Sequence, residues 1–486
     1  MKYYEYILIP LYVVLAYFIN KLGLNIVSIA IFSISIIITI IKLDVGLKLF
    51  FINSLAFSDF IFENMYLEGL DTMPLGGIYM ASLAGNTLMV YWCLFLTVII
   101  FFKKNNEIVY LFKRNLFFKI LLIILIASLL GLSFNLLKGG EYVLLAAISD
   151  LRFFINIFVG FFCIYFIVSA SDNINNEIKK YFNIFILIFI TQVSISIISS
   201  YTLSQSTTLY NFVTGTESYL IGIVFLYILF KFSEKKATSE RVLLIFLLIL
   251  LIAYIFISAA RGRIFLLILS LVVFCIYTKK YNYIIIAPLV ILIAYQAVNY
   301  INPNFMNYFL WKFTTFNPLG EGGDSATVRY ISFINILGES IANPYYFIFG
   351  KGFGGYFETT YADFPFDLTG RTAFKQEWII EGKYYKPHGM LLFSLLKFGV
   401  LMSFVLFLSI IRLCYIQVKQ VGRSYSLSSI VLTISLTLPI FFTVIYSSKL
   451  QILFGMLLGF IYVCSMDINI NKLQNERNIS RGTFMQ

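Results

Sequence analysis

Histidine is nearly absent from this chain: His388 is the only one in 486 residues. Cysteine is scarce as well. The five copies (Cys93, Cys163, Cys275, Cys414 and Cys464) are scattered through apolar stretches with no Cys-x-x-Cys spacing. They read as small core residues, and neither a disulfide framework nor a transition-metal site fits that distribution. Charged residues make up only 12% of the chain, too few to solvate the surface of a soluble protein of this length. The first apolar segment lacks a small-x-small cleavage site and reads as a first span, not a removable signal peptide. No internal repeat stands out, nor any low-complexity tract beyond an Ile/Phe/Leu bias.

What is abundant is apolar surface: 60% of residues are hydrophobic, and the mean hydropathy is +0.88. A polytopic membrane protein follows. The apolar runs do not alternate and far exceed the roughly 10 residues of a barrel strand, so the spans are helices. Segments long enough to cross fall near 5–20, 23–41, 46–62, 78–102, 116–137, 143–169, 182–203 and 217–232. Six more lie near 242–260, 263–278, 282–300, 388–411, 426–446 and 450–466, which predicts about 14 transmembrane helices in a single domain spanning 1–486. The connections "FKKNNEIVYLFKRN", "NNEIKKY", "KFSEKKATSER", "TKKY" and "RLCYIQVKQVGR" are strongly basic. With that count they share one side with both termini, and the positive-inside tendency makes it cytoplasmic. The net charge of +12 is thus a topology signal and does not point to a nucleic-acid partner.

Residues 301–387 then form one long outer loop between spans 11 and 12. Its stretch "GDSATVRYISFINILGESIANP" has an Asp/Ser cap candidate and apolar residues at 328, 331, 334, 337 and 341. This predicts an amphipathic helix at the outer interface, ending at Asn343-Pro344. "FGKGFGGYF" follows as a glycine-rich turn; without a strand before and a helix after, it is no dinucleotide fingerprint.

Of 11 arginines, six (Arg114, Arg241, Arg412, Arg423, Arg477 and Arg481) lie in inner loops or the tail. The other five do not. Arg261 and Arg263 occupy a near-zero-length outer turn, and Arg329 and Arg371 lie in the long outer loop. Arg152 lies within span 6, about three turns below its outer end. A charge at that depth is costly and usually faces a partner or a cavity. Asp150 is the local partner the sequence offers, and a snorkel to the headgroups is the other bland reading. Together the five are placed to converge on one outward-facing cavity roofed by the long loop. Guanidinium groups bind phosphate bidentately and keep their charge, which suits a lipid-linked diphosphate.

These stretches resemble a known family. "SAARGRIFLLILSLVV" resembles the Ser-Arg-Gly span entrance of bacterial O-antigen polymerases (Wzy) and the related O-antigen ligases. "VRYISFINILGESIANPYYFIFGKGFGGY" resembles the family's arginine helix, Asn-Pro and glycine turn. "KPHGMLLFSLLKFGVL" resembles its histidine-bearing helix, and "SDLRFFINIF" its arginine-bearing span. The likeness runs in order over roughly residues 140–410. An Arg-x10-Gly pattern of the polymerases is also matched, from Arg371 to Gly382. Two positions depart from the pattern: Gly389 stands where Asn often follows the histidine, and Ala260 precedes Arg261 in place of Ser.

The resemblance implies an all-α polytopic fold of the glycosyltransferase C type, in the bacterial inner membrane, with its active site facing the periplasm. It implies an O-antigen or related polysaccharide polymerase that needs no metal or other cofactor. Such an enzyme moves a growing glycan from undecaprenyl diphosphate to a sugar hydroxyl of a lipid-linked repeat unit. Expected partners are that lipid-linked oligosaccharide, membrane lipids, a chain-length regulator and a flippase. Arg152, Arg261, Arg263, Arg329 and Arg371 would hold the diphosphate or its sugar. His388, at the mouth of span 12, would take the acceptor proton, since its ordinary pKa lies near neutrality; an interfacial aromatic anchor is its bland reading. The outer-loop carboxylates Asp324, Glu339, Glu377 and Glu381 are alternative bases. A ligase shares the fold. A flippase of the lipid-linked oligosaccharide is the rival of another class, though its outer loops are normally short. A generic secondary transporter would show inverted halves with broken helices, and neither is legible in the sequence.

Overall fold

The computed structural model describes residues 5–57, 82–83, 86–139, 141–171, 173–204, 220–234, 238–258, 261–301, 303, 325–364, 374–387, 389–421, 427–444 and 448–464. Among these the regular secondary structure is α-helical apart from a short hairpin, in which Ser82–Leu83 pairs antiparallel with Asn86–Thr87, and an isolated antiparallel bridge between Phe357 and Tyr384. The helices are α1 (Glu5–Lys21), α2 (Asn25–Ile41), α3 (Leu43–Ala56), α4 (Leu88–Arg114), α5 (Leu116–Lys138) and α6 (Val143–Ser169). Then come α7 (Ile174–Ser204), α8 (Ile221–Glu234), α9 (Thr238–Ser258), α10 (Arg261–Thr278) and α11 (Asn282–Ile301). The segment between α11 and the next long helix holds α12 (Ser325–Ala342), α13 (Pro344–Phe349) and α14 (Gln376–Glu381). α15 (Met390–Val421), α16 (Ser428–Val444) and α17 (Ser448–Cys464) complete the described helices.

A helix overlaps every apolar segment anticipated from the sequence. Among the described residues, six of them are long and apolar enough to cross a membrane: those beginning at Leu88, Leu116, Val143, Ile174, Thr238 and Met390. The chain is an α-helical membrane protein. Apolar side chains point outward on its periphery, as lipid contact allows and water does not. Ile26, Phe102 and Leu137 are 84%, 86% and 84% exposed. Boundaries differ from expectation at several ends. α4 starts at Leu88 instead of 78, and α7 starts at Ile174, well before 182. The third anticipated span runs past Phe57 into residues outside the described set.

The centre of the bundle is α6 against α17. Gly160 faces the Ile452 carbonyl and Gly455 faces the Ile157 carbonyl, so the two backbones approach with no side chain between them. Where polar atoms are buried there they pair: Asn156 Nδ2 donates to Gln451 Oε1 at 2.8 Å.

α12 forms where expected, and its Asp324 cap candidate lies outside the described residues. Its buried stripe is not the purely apolar one. Val328 and Ile331 are buried, but so are Ser332, Asn335 and Ser340, while Ile341 is 66% exposed. The helix packs against α15, not simply along an interface, and its buried polar residues are hydrogen-bonded, Ser332 and Ser340 to Val328 O and Ile336 O of their own helix. Asn335 donates to Ala362 O at 2.7 Å and accepts from the N–H of Tyr361 at 2.8 Å. Asn343 ends α12 and caps α13, its side chain accepting from Tyr345 N–H at 2.9 Å, with Pro344 in the first turn. A satellite core of Val328, Ile336, Phe357, Phe374, Tyr384, Leu392, Leu395 and Leu396 joins the outer segment to the first turns of α15.

Candidate functional site

α15 is interrupted at Gly399, which has φ 80° and ψ 167°. A helix broken inside a membrane must find other partners for its freed backbone groups. The glycine-rich turn supplies them. Lys351 N–H donates to Leu396 O at 2.8 Å, and Gly352 N–H to Lys397 O at 3.0 Å. α5 holds the turn from the other side. Phe353 N–H donates to Ser128 O at 3.0 Å, and Asn135 Nδ2 donates to the carbonyls of Lys351 and Phe353 at 2.7 and 3.0 Å. The approach needs glycine: a Cβ on Gly352 would lie 2.6 Å from Gly131 Cα, and φ at Gly352 is 71°.

Beneath the turn sits a buried ion pair. Lys397 Nζ is 2.7 Å from Asp150 Oδ2, with side-chain exposures of 0% and 2%. Asp150 also accepts from Gly354 N–H at 2.9 Å, and Lys397 donates to Gly355 O at 2.6 Å. A buried charge is tolerated only when paired and hydrogen-bonded, and each partner here has both. The pair therefore ties α6, α15 and the turn into one unit. Asp150 pairs with Lys397 and not with Arg152, the near neighbour in sequence. Arg152 is half-buried, and its Nε has no hydrogen-bond partner among the described residues.

Lys386 sits at the mouth of α15, within electrostatic reach of Asp150, Arg152, Lys397 and Lys375. Burial pushes its amine below the usual lysine range; Asp150 opposes that shift, and the three neighbouring cations reinforce it. Beside it is a small cavity of about 20 Å³ lined by Ser149, Phe153, Lys386, Pro387, Gly389 and Gln451, among others, enough for one water. Lys386 thus sits among three further cations, and the carboxylate that acts on it, Asp150, is paired with Lys397. Positive charge gathered at this mouth favours an anion.

Next to the turn the segment between α11 and α15 forms a wall. Lys351 Nζ is 2.9 Å from Glu339 Oε2, donates to Tyr356 O at 2.7 Å, and lies 5.4 Å from the ring centres of both Tyr346 and Tyr356. The buried Tyr385 donates to Glu381 Oε2 at 3.1 Å, and burial, then this bond, raises its phenol pKa.

The anticipated site residues fall as follows. Arg152 stands in the cation cluster. Arg329 is exposed on α12. Arg261 and Arg263 open α10, but their side chains lie outside the described residues, as do Arg371 and His388 entirely. His388 is flanked by Pro387 and by Gly389, which has φ 99°. A φ this positive favours glycine. Gly382, the glycine of the Arg-x10-Gly match, closes α14 in the left-handed conformation at φ 68°. Of the carboxylates, Asp324 is outside the described residues, Glu339 is paired with Lys351, Glu377 is exposed, and Glu381 serves Tyr385 and Lys383.

Sequence reasoning missed Lys386 and Lys397. The signal was present, since Lys397 is a lone charge inside "LLFSLLKFGVL" and an intramembrane cation is a site candidate by default.

The chain matches no protein-family model, no curated protein and no solved structure.

Proposed function

We propose that the chain is a polysaccharide polymerase of the O-antigen type, with about 14 spans in a glycosyltransferase C-like arrangement, that extends glycans carried on undecaprenyl diphosphate. The observation that carries this reading is the group of cations at the mouth of α15, where Arg152, Lys375 and Lys397 all act on Lys386, and Lys386 and Lys397 act on Asp150. An anionic leaving group there gains countercharge from fixed cations. In this reading the acceptor hydroxyl oxygen attacks the anomeric carbon of the growing glycan. The carbon–oxygen bond to the diphosphate breaks, its electron pair leaves with the diphosphate, and the hydroxyl proton passes to His388. Arg261, Arg263, Arg329 and Arg371 are proposed to assist in holding diphosphate or sugar. The inner membrane, a periplasmic active site and the lipid and protein partners of such enzymes belong to the same proposal.

The break in α15 supports a second reading. Discontinuous helices beside buried charge also mark transport pathways, which fits a flippase of the same lipid-linked oligosaccharide.

Deleting the gene and complementing it separates these readings. The expected result is surface polysaccharide reduced to a single repeat unit on its anchor, with the ladder lost. Complementation with His388→Ala should leave turnover about 10²- to 10⁴-fold below wild type. Disappearance of the single-unit band as well would sink the polymerase reading in favour of a ligase or flippase.

A further inference from the structure

A second and larger cavity, of about 330 Å³, opens on the other side of the glycine-rich turn, between the outer end of α5, the end of α12, α13 and the strand-like return through residues 351–361. That volume lies at the lower end of ligand pockets, roughly 300–1,000 Å³. Part of its wall is locked. Lys351 is held by Glu339 and Tyr356, as described above, and Glu339 Oε1 accepts from Glu358 N–H at 3.1 Å.

Other groups remain open to a ligand. Lys138 is exposed and donates one of its three N–H groups to Tyr346 Oη at 2.8 Å. The Glu358 side chain is exposed and acts on Lys138 electrostatically. Across the cavity stands Tyr361, whose ring lies on Gly338. A Cβ on Gly338 would come within 2.6 Å of that ring, so the missing side chain seats it. Tyr361 is 50% exposed, leaving apolar ring surface uncovered.

Charge and shape together identify the ligand class. Two lysines (Lys138, Lys351) face two carboxylates (Glu339, Glu358), so the cavity is balanced, unlike the cation-rich mouth of α15. A phosphate would meet the carboxylates and lose there. A neutral pyranose offers adjacent hydroxyls that donate to Glu358 and accept from Lys138. It also has a C–H face that packs on an aromatic ring.

We infer that this cavity is a subsite for a neutral sugar of the glycan, one turn's thickness from the cation cluster that would hold the diphosphate. The inference rests on the polymerase reading for the identity of the glycan, and the subsite's chemistry rests on the cavity alone. One wall of the glycine turn then faces sugar, while its other wall is fixed to Asp150 and Lys397.

The test uses the full-length protein in detergent and, as probe, the repeat-unit oligosaccharide released from the host's own surface polysaccharide, free of lipid and phosphate. Binding is read by saturation-transfer NMR and titration calorimetry. Wild type should bind. Lys138→Met, Glu358→Gln and Tyr361→Ala should each weaken binding at least about 10-fold, the loss expected when a charged hydrogen-bond partner or a packed ring goes. Tyr361→Phe, which keeps the ring, should retain most of it. Lys138 and Glu358 are exposed, so their variants test the site even if Tyr361→Ala fails to fold. Wild-type protein that does not bind the oligosaccharide overturns the proposal. So does equal affinity in Lys138→Met and Glu358→Gln, or displacement of the sugar by inorganic pyrophosphate. Oligosaccharide binding in a protein whose deletion leaves the polysaccharide ladder intact keeps the subsite and removes only the polymerase reading.

Discussion

Asp150 and Lys397 have more at stake than any other described pair, because both are almost completely shielded from solvent. Breaking a buried pair by removing one member strands the other charge, at about 3–5 kcal/mol. Lys397→Met should therefore lower the unfolding temperature in detergent strongly, and so should Asp150→Asn. The double variant Asp150→Asn/Lys397→Met should lose far less than the sum. It buries no charge, and the amide oxygen at 150 still accepts from Gly354 N–H. Additive losses in the double would show that the two side chains do not depend on each other. At this scale the sequence was half legible. Arg152 stood out as a cation inside an apolar span, and it lies in the cluster. Its obvious partner two residues away went instead to Lys397, 247 positions along the chain from Asp150. No local pattern carries such a pairing. It exists because the break in α15 and the turn from the outer segment bring Gly354 and Gly355 to complete the hydrogen bonds of both charges.

The turn and the broken helix are one device built from two elements. Gly350 and Gly399 meet backbone to backbone, and a Cβ on Gly399 would lie 2.7 Å from the carbonyl carbon of Ile348. Gly399→Ala should thus cost twice over: strain at a left-handed φ, about 1–2 kcal/mol, and displacement of the turn from the helix break. Gly139→Ala provides the comparison, since Gly139 has φ 74° with nothing within 4 Å of its would-be Cβ. Gly399→Ala should lower the unfolding temperature clearly more than Gly139→Ala does. Equal shifts would mean the turn is not held by the break. Elements of this size were legible where composition punctuates them. Asn343-Pro344 predicted the end of α12 and gives the cap of α13. The glycine run predicted a turn. The depth of that turn was not legible, because "FGKGFGGYF" reads as a surface loop until α5 presents Gly131 and Asn135 and α15 opens to receive it. For the same reason the buried stripe of α12 carries Asn335, which bonds the return at Tyr361 and Ala362, while the buried Ser332 and Ser340 hydroxyls donate back to Val328 O and Ile336 O of their own helix.

For the whole molecule, the contacts place particular ends together. The C-terminal end of α5, the N-terminal ends of α6 and α15, and α12 to α14 all meet around the turn, so they share one end of the bundle. Hydropathy foretold the helices well, since burial in lipid is written into composition residue by residue. Which end faces which compartment is written only in the basic connections, through their bias to the cytoplasmic side. That gives a topology expectation. The five native cysteines are all buried, which keeps their background reaction with a membrane-impermeant maleimide low in intact cells. Introduced cysteines at exposed positions of the outer segment, Thr360→Cys and Glu377→Cys, should label from outside. Cysteines at exposed positions beside the basic connections, Glu234→Cys and Lys419→Cys, should label only after the membrane is opened. The two sets sit beyond opposite ends of helices, so the protein's orientation allows one set or the other to react, not both. Outside labelling of Glu234→Cys and Lys419→Cys would invert the topology, put the cation cluster on the cytoplasmic side, and remove the periplasmic polymerase reading with it.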